Sequence, residues 1–91
     1  LAEHAVHAQA PTKIEIRRYP SGEPKEIFLN VSGFSGGEER DGIYTEWYSS
    51  GKLKRYADYY EGGLHGVDVQ WDEMGKVLSR VVYEHGIKVG G

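Results

Sequence analysis

At 91 residues, with 14 acidic and 11 basic side chains and a net charge of −3, the chain has room for one small domain. It lacks the concentrated basic surface that non-specific binding to nucleic acid or anionic membrane requires. It has no cysteine, which excludes disulfides, Cys-ligated zinc and a thiol nucleophile, and no apolar run approaches the roughly 20 residues needed for a membrane-spanning helix.

The chain opens on Leu1 rather than Met, so a processed form or a fragment is expected. Ala8-Gln9-Ala10 before Pro11 has the small-x-small spacing of a signal-peptidase site; the expectation is a soluble protein, exported or periplasmic if a leader has been removed. Residues 1–12 read as an Ala-rich arm with one or two helical turns that Pro11 ends. From residue 13 onward the 13 glycines and the 12% aromatic share favour turns and strands over helices.

A shift of 24 residues pairs Gly42 with Gly66, Trp47 with Trp71, Gly51 with Gly75, Lys52 with Lys76, Tyr59 with Tyr83, Gly62 with Gly86 and Gly66 with Gly90. Chance gives about two such identities over that overlap, so the chain contains repeats. A shift of 29 exposes a degenerate earlier unit, matching Ile14, Tyr19, Ser21, Gly22 and Lys25 to Ile43, Tyr48, Ser50, Gly51 and Lys54. The domain over 13–91 thus divides into units 13–41, 42–65 and 66–91. Each unit alternates with period 2 along two runs, which predicts strands near 13–19, 25–32, 42–48, 53–60, 67–72 and 77–84. Turns are expected at Ser49-Ser50-Gly51 and Glu73-Met74-Gly75, where glycine supplies positive φ. The expected fold class is all-β, a meander of stacked antiparallel hairpins. Alternation places Ile43, Thr45 and Trp47 with Leu53, Ala57 and Tyr59 on one face, and puts Trp47, Trp71, Tyr59 and Tyr83 on the better-buried side.

The pattern Gly-x-x-x-x-Trp/Tyr-x-x-x-Gly-Lys-Leu/Val, a Tyr-rich return strand and then Gly63-Leu64-His65-Gly66 resembles MORN-type repeats. It is most similar to the bacterial variant found in antitoxin-like and lipoprotein repeat proteins. The third unit departs from the pattern as Gly86-Ile87-Lys88-Val89-Gly90 and reads as terminal. The resemblance implies a MORN-like ribbon of hairpins that serves as a scaffold, without catalytic residues of its own.

Candidate chemistry is sparse. His4-x-x-His7 could chelate a metal with His65 or His85, but the first pair sits in the arm and the others in turns, so no metal site and no cofactor is expected. Glu38, Glu39 and Asp41 gather around Arg40 in a Gly-flanked loop that reads as solvated, no phosphate-binding loop occurs, and no base is positioned beside a Ser or Thr; the chain is not expected to be an enzyme. Tyr56 and Tyr60 alternating with Lys54 and Asp58 superficially match a base-stacking surface, which the net charge opposes, so no nucleic-acid partner is expected. The outward face of the second unit carries Tyr44, Tyr48, Tyr56 and Tyr60, where the third unit has Asp68, Asp72, Arg80 and Glu84. Tyrosine pairs apolar area with a polar tip and is enriched at interfaces, which makes these four the candidate partner-binding residues. The function so implied is a non-catalytic protein-protein interaction or scaffold module, with homo-oligomerisation through sheet edges as a further possibility; the alternative is a carbohydrate- or cell-envelope-binding module stacking sugars on exposed tyrosines.

Overall fold

The computed structural model describes residues 12–32 and 38–91, and the expected N-terminal helical arm lies outside them. The described residues form one antiparallel sheet of seven strands lying side by side in chain order: β1 (Thr12–Arg18), β2 (Pro24–Ser32), β3 (Glu38–Trp47), β4 (Leu53–Tyr60), β5 (Gly63–Trp71), β6 (Val77–Glu84) and β7 (Ile87–Gly90). This is the hairpin meander that the alternation predicts.

Two turn geometries alternate along it. Five-residue loops join β1 to β2, β3 to β4 and β5 to β6, with Gly22, Gly51 and Gly75 at φ of 104°, 93° and 90°. Their N–H groups donate to the carbonyls of Tyr19, Tyr48 and Asp72 at 2.9, 2.9 and 3.0 Å, which is one loop repeated three times. The other turns are two residues long, Glu61-Gly62 and His85-Gly86, with positive φ at all four positions. That backbone matches the right-handed twist of a hairpin.

β3 and β5 begin earlier than expected, and β7 is an additional strand, for one shared reason. Gly42 and Gly66 lie inside strands, at bulges. β3 passes from Arg40 opposite Asn30 to Tyr44 opposite Phe28, and β5 from Leu64 opposite Tyr59 to Asp68 opposite Ala57. In each case three residues face one, and glycine at φ of 98° or 113° absorbs the excess. The fit is close: a Cβ on Gly42 would meet Leu29 Cδ1 at 3.0 Å, and one on Gly66 would meet Asp58 Oδ2 at 2.9 Å. Gly63-Leu64-His65-Gly66 is therefore strand rather than turn. β7 is the same half-strand one repeat on, because the Gly62 N–H donates to the Arg40 carbonyl and the Gly86 N–H to the Leu64 carbonyl.

A second kind of irregularity corrects the expected faces. Trp47 pairs with Leu53 but Glu46 pairs with Arg55, leaving Lys54 extra; Trp71, Val77, Gln70 and Ser79 repeat the arrangement. One extra residue reverses the parity of everything after it. Ala57 consequently lies opposite Tyr44, not beside Thr45 and Trp47, and Tyr59 follows Ala57 to the side away from Trp47.

The core is small and sits on that side. Phe28, Tyr44 and Ala57 are 3%, 3% and 0% exposed, with Tyr59 and Leu64 packed against them. Trp47 and Trp71 are only half-buried. Ala57 is small because the Phe28 and Tyr44 rings, 5.6 Å apart, fill the space beside it. With one sheet and no second layer among the described residues, most stabilisation comes from cross-strand pairs and backbone ladders rather than a deep core.

Candidate functional site

The four candidate tyrosines do not form one surface. Tyr44 is in the core, with its hydroxyl donating to Glu26 Oε2 at 2.5 Å. Tyr48 is structural: its hydroxyl donates to the Trp71 carbonyl at 2.8 Å, as that of Tyr19 does to the Trp47 carbonyl at 2.7 Å, so each clasps one hairpin to the next. In the third unit Asp72 takes this place and instead accepts from the Met74 and Lys76 N–H groups of its own turn, which ends the series. Tyr56 pairs with Thr45 and lies on the face opposite Tyr44. Tyr60 is half exposed and its ring lies 5.9 Å from that of His65.

Rings and arginines interleave on the core side, here termed the ring face. Arg17 lies 5.2 Å from the Phe28 centroid and Arg55 5.3 Å from that of Tyr44. Arg40 lies between them, at 4.7 Å from Phe28, 4.4 Å from Tyr44 and 5.4 Å from Tyr59. Cations over ring faces are attracted by the ring quadrupole. Carboxylates complete the set: Arg17 pairs with Glu26 at 3.2 Å, and Arg55 grips Asp68 through two bonds of 3.1 and 2.7 Å. The hydrogen bond from Tyr44 holds the Glu26 carboxyl below its ordinary value, against burial, which acts the other way. Burial pushes the Tyr44 hydroxyl up, and its bond to Glu26 adds to this. Asp68 keeps Arg55 firmly charged. Asp68 occupies in the third unit the place of Tyr44, so an ion pair replaces a ring at one repeat position.

The opposite, aliphatic face is open. Ile14, Ile16 and Ile43 are 67%, 47% and 48% exposed there, and Ile16 pairs with Ile27, which pairs with Thr45. Beside them Pro24, Ile27, Trp47 and Gly51 line a cavity of about 310 Å³. The Trp47 indole is fixed by donating to Thr45 Oγ1 at 3.1 Å, and Thr45 donates onward to the Ile27 carbonyl at 3.0 Å.

His65 lies in β5 rather than in a turn, and its ring is 4.8 Å from that of His85, whose N–H donates to His65 Nδ1 at 3.1 Å. Among the described residues no group of three metal-ligating side chains converges, and His4 and His7 lie outside them. Of the acidic loop, Glu39 turns toward Gly62 while Arg40 joins the rings. The sequence reading missed Phe28, Arg40 and Glu26 as neighbours of Tyr44. A usable signal was the 24-residue shift itself, which aligns Arg40 with Leu64 and so marks a charge the repeat does not require. Searches of protein-family models, curated proteins and solved structures find no match to this chain.

Proposed function

We propose that this chain is a non-catalytic protein-contact module built of MORN-like hairpins, and that its aliphatic face meets the partner. The observation that carries this reading is the exposure of Ile14 and Ile16 on β1 and of Ile43 on β3, with Ile27 of the intervening β2 leading into the Trp47 cavity. Exposed apolar side chains gathered on one side of a sheet mark association surfaces more often than scattered ones do. Four polar groups of the ring face support the same reading, because Arg17 pairs with Glu26 and Arg55 with Asp68, and so they serve the sheet. Tyr56 contributes to the same face as the isoleucines, so part of the tyrosine hypothesis carries over to it.

The test is affinity capture from native extract with wild-type protein and with Ile16→Glu and Ile43→Glu variants. Both side chains are about half exposed, so the variants should melt near the wild type while losing the captured partner. Undiminished capture by both variants would overturn the assignment of the face. Binding on a glycan array that depends on Trp47 would favour the carbohydrate alternative.

A further inference from the structure

Arg17 and Arg55 each stack on a ring and hold a carboxylate. Arg40 stacks on three rings, and among the described residues it holds no carboxylate; its one polar side-chain contact there is from Nη1 to the Tyr59 hydroxyl at 3.3 Å. A ring face attracts the cation without using its N–H donors, so this guanidinium is fixed in place with most of its donors free of the described side chains. The Tyr59 hydroxyl accepts from Arg40 and keeps its own proton to donate. Both residues are only partly buried and are open to solvent.

The repeat makes this more than a packing detail. Leu64 stands where Arg40 stands, one unit earlier: both carbonyls accept the N–H of the equivalent turn glycine, and both side chains lie on the ring face. The scaffold therefore accepts leucine at this position and has no need of a charge there.

We infer that Arg40 and the Tyr59 hydroxyl form a docking point for a carboxylate presented by a partner protein. The surroundings define the ligand further. Glu26 and Glu46, which flank Tyr44, would repel a polyanion, while the partly exposed Leu64 offers apolar contact. A single acidic side chain between apolar neighbours fits; a run of acidic residues or a nucleic acid does not. The inference deepens the protein-contact reading and rests on it, but it concerns the other face of the sheet.

The probe is a capped Gly-Leu-Glu-Leu-Gly peptide, with the Gln-for-Glu peptide as neutral control, followed by NMR at the Arg40 Nε–H and at the amides of residues 40 and 59. The Glu peptide should shift these resonances, more weakly as salt is added, and the Gln peptide should not. Affinity should fall about ten-fold or more in folded Arg40→Leu, as expected for loss of charge-assisted hydrogen bonds, and by more than any loss of stability explains. Tyr59→Phe, which removes only the hydroxyl, should weaken binding by a smaller factor. If Arg40→Leu fails to fold, Arg40→Lys keeps the charge but not the planar fork, and it too should bind more weakly. Equal shifts from both peptides, equal affinity in folded Arg40 variants, or tighter binding of inorganic phosphate than of the Glu peptide at these resonances would each overturn the carboxylate assignment. Failure here with the isoleucine variants still losing their partner would reject the docking point alone; failure of the isoleucine test alone would reject the aliphatic face.

Discussion

Replacing Tyr44 tests the placement of the core. A tyrosine buries about 150–250 Å², worth about 4–6 kcal/mol at 25 cal/mol per Å², and truncating a core aromatic to alanine costs about 3–5 kcal/mol in practice. Tyr44 is 3% exposed, stacks Arg40 and Arg55, and adjoins the Phe28 ring, so Tyr44→Ala should lie at the upper end and leave little of a small domain's stability. Tyr44→Phe keeps the ring and removes only the bond to Glu26. A bond to a charged acceptor contributes about 1.5–3 kcal/mol, and because Glu26 keeps Arg17 as a partner the loss should fall near the lower figure. In a domain this size each kcal/mol moves the melting temperature by roughly 4–8 °C. The pH dependence has a definite sign. Glu26 is held below its ordinary value of 4.5 in the fold, so its contribution is present above that pH and disappears as pH falls through the folded-state value. Urea denaturation of wild type and Tyr44→Phe should therefore differ most near neutrality and converge in acid. Trp47→Ala, on the half-buried opposite side, should cost under about 2 kcal/mol. The reasoning fails if Tyr44→Ala melts within a few degrees of wild type, or if Trp47→Ala proves the costlier change.

Gly42→Ala and Gly66→Ala should each destabilise by more than the roughly 1 kcal/mol that an unstrained glycine replacement gains, because positive φ is combined with contacts of about 3 Å to Leu29 and Asp58; Gly51→Ala, at positive φ but in open space, should cost less, and thermal melts of the three variants will rank them. Tyr19→Phe and Tyr48→Phe each remove one inter-hairpin clasp and should cost about 0.5–1.5 kcal/mol, with hydrogen exchange accelerating near Trp47 and Trp71 respectively; uniform exchange changes across the sheet would show that the clasps are not local.

The repeat, the all-β class, the hairpin order and the glycine turns at 51 and 75 are all legible in the sequence, because they depend on local properties: alternation, β-branched and aromatic content, and the one residue type at ease at positive φ. Side-chain facing is not, since it depends on where the extra residues of bulges fall. Glu46-Trp47 opposite Leu53-Lys54-Arg55, and the glycine bulges at 42 and 66, each change the count of residues between partners without changing composition. Counting by twos through such a point puts Tyr44 in solvent and Trp47 in the core, the reverse of what pairing enforces. Arg40 shows the same limit. Its sequence neighbours Glu39 and Asp41 suggest a solvated charged loop, whereas cross-strand pairing carries its guanidinium onto rings from β2, β3 and β4, at 4.7, 4.4 and 5.4 Å, which only the assembled sheet brings together.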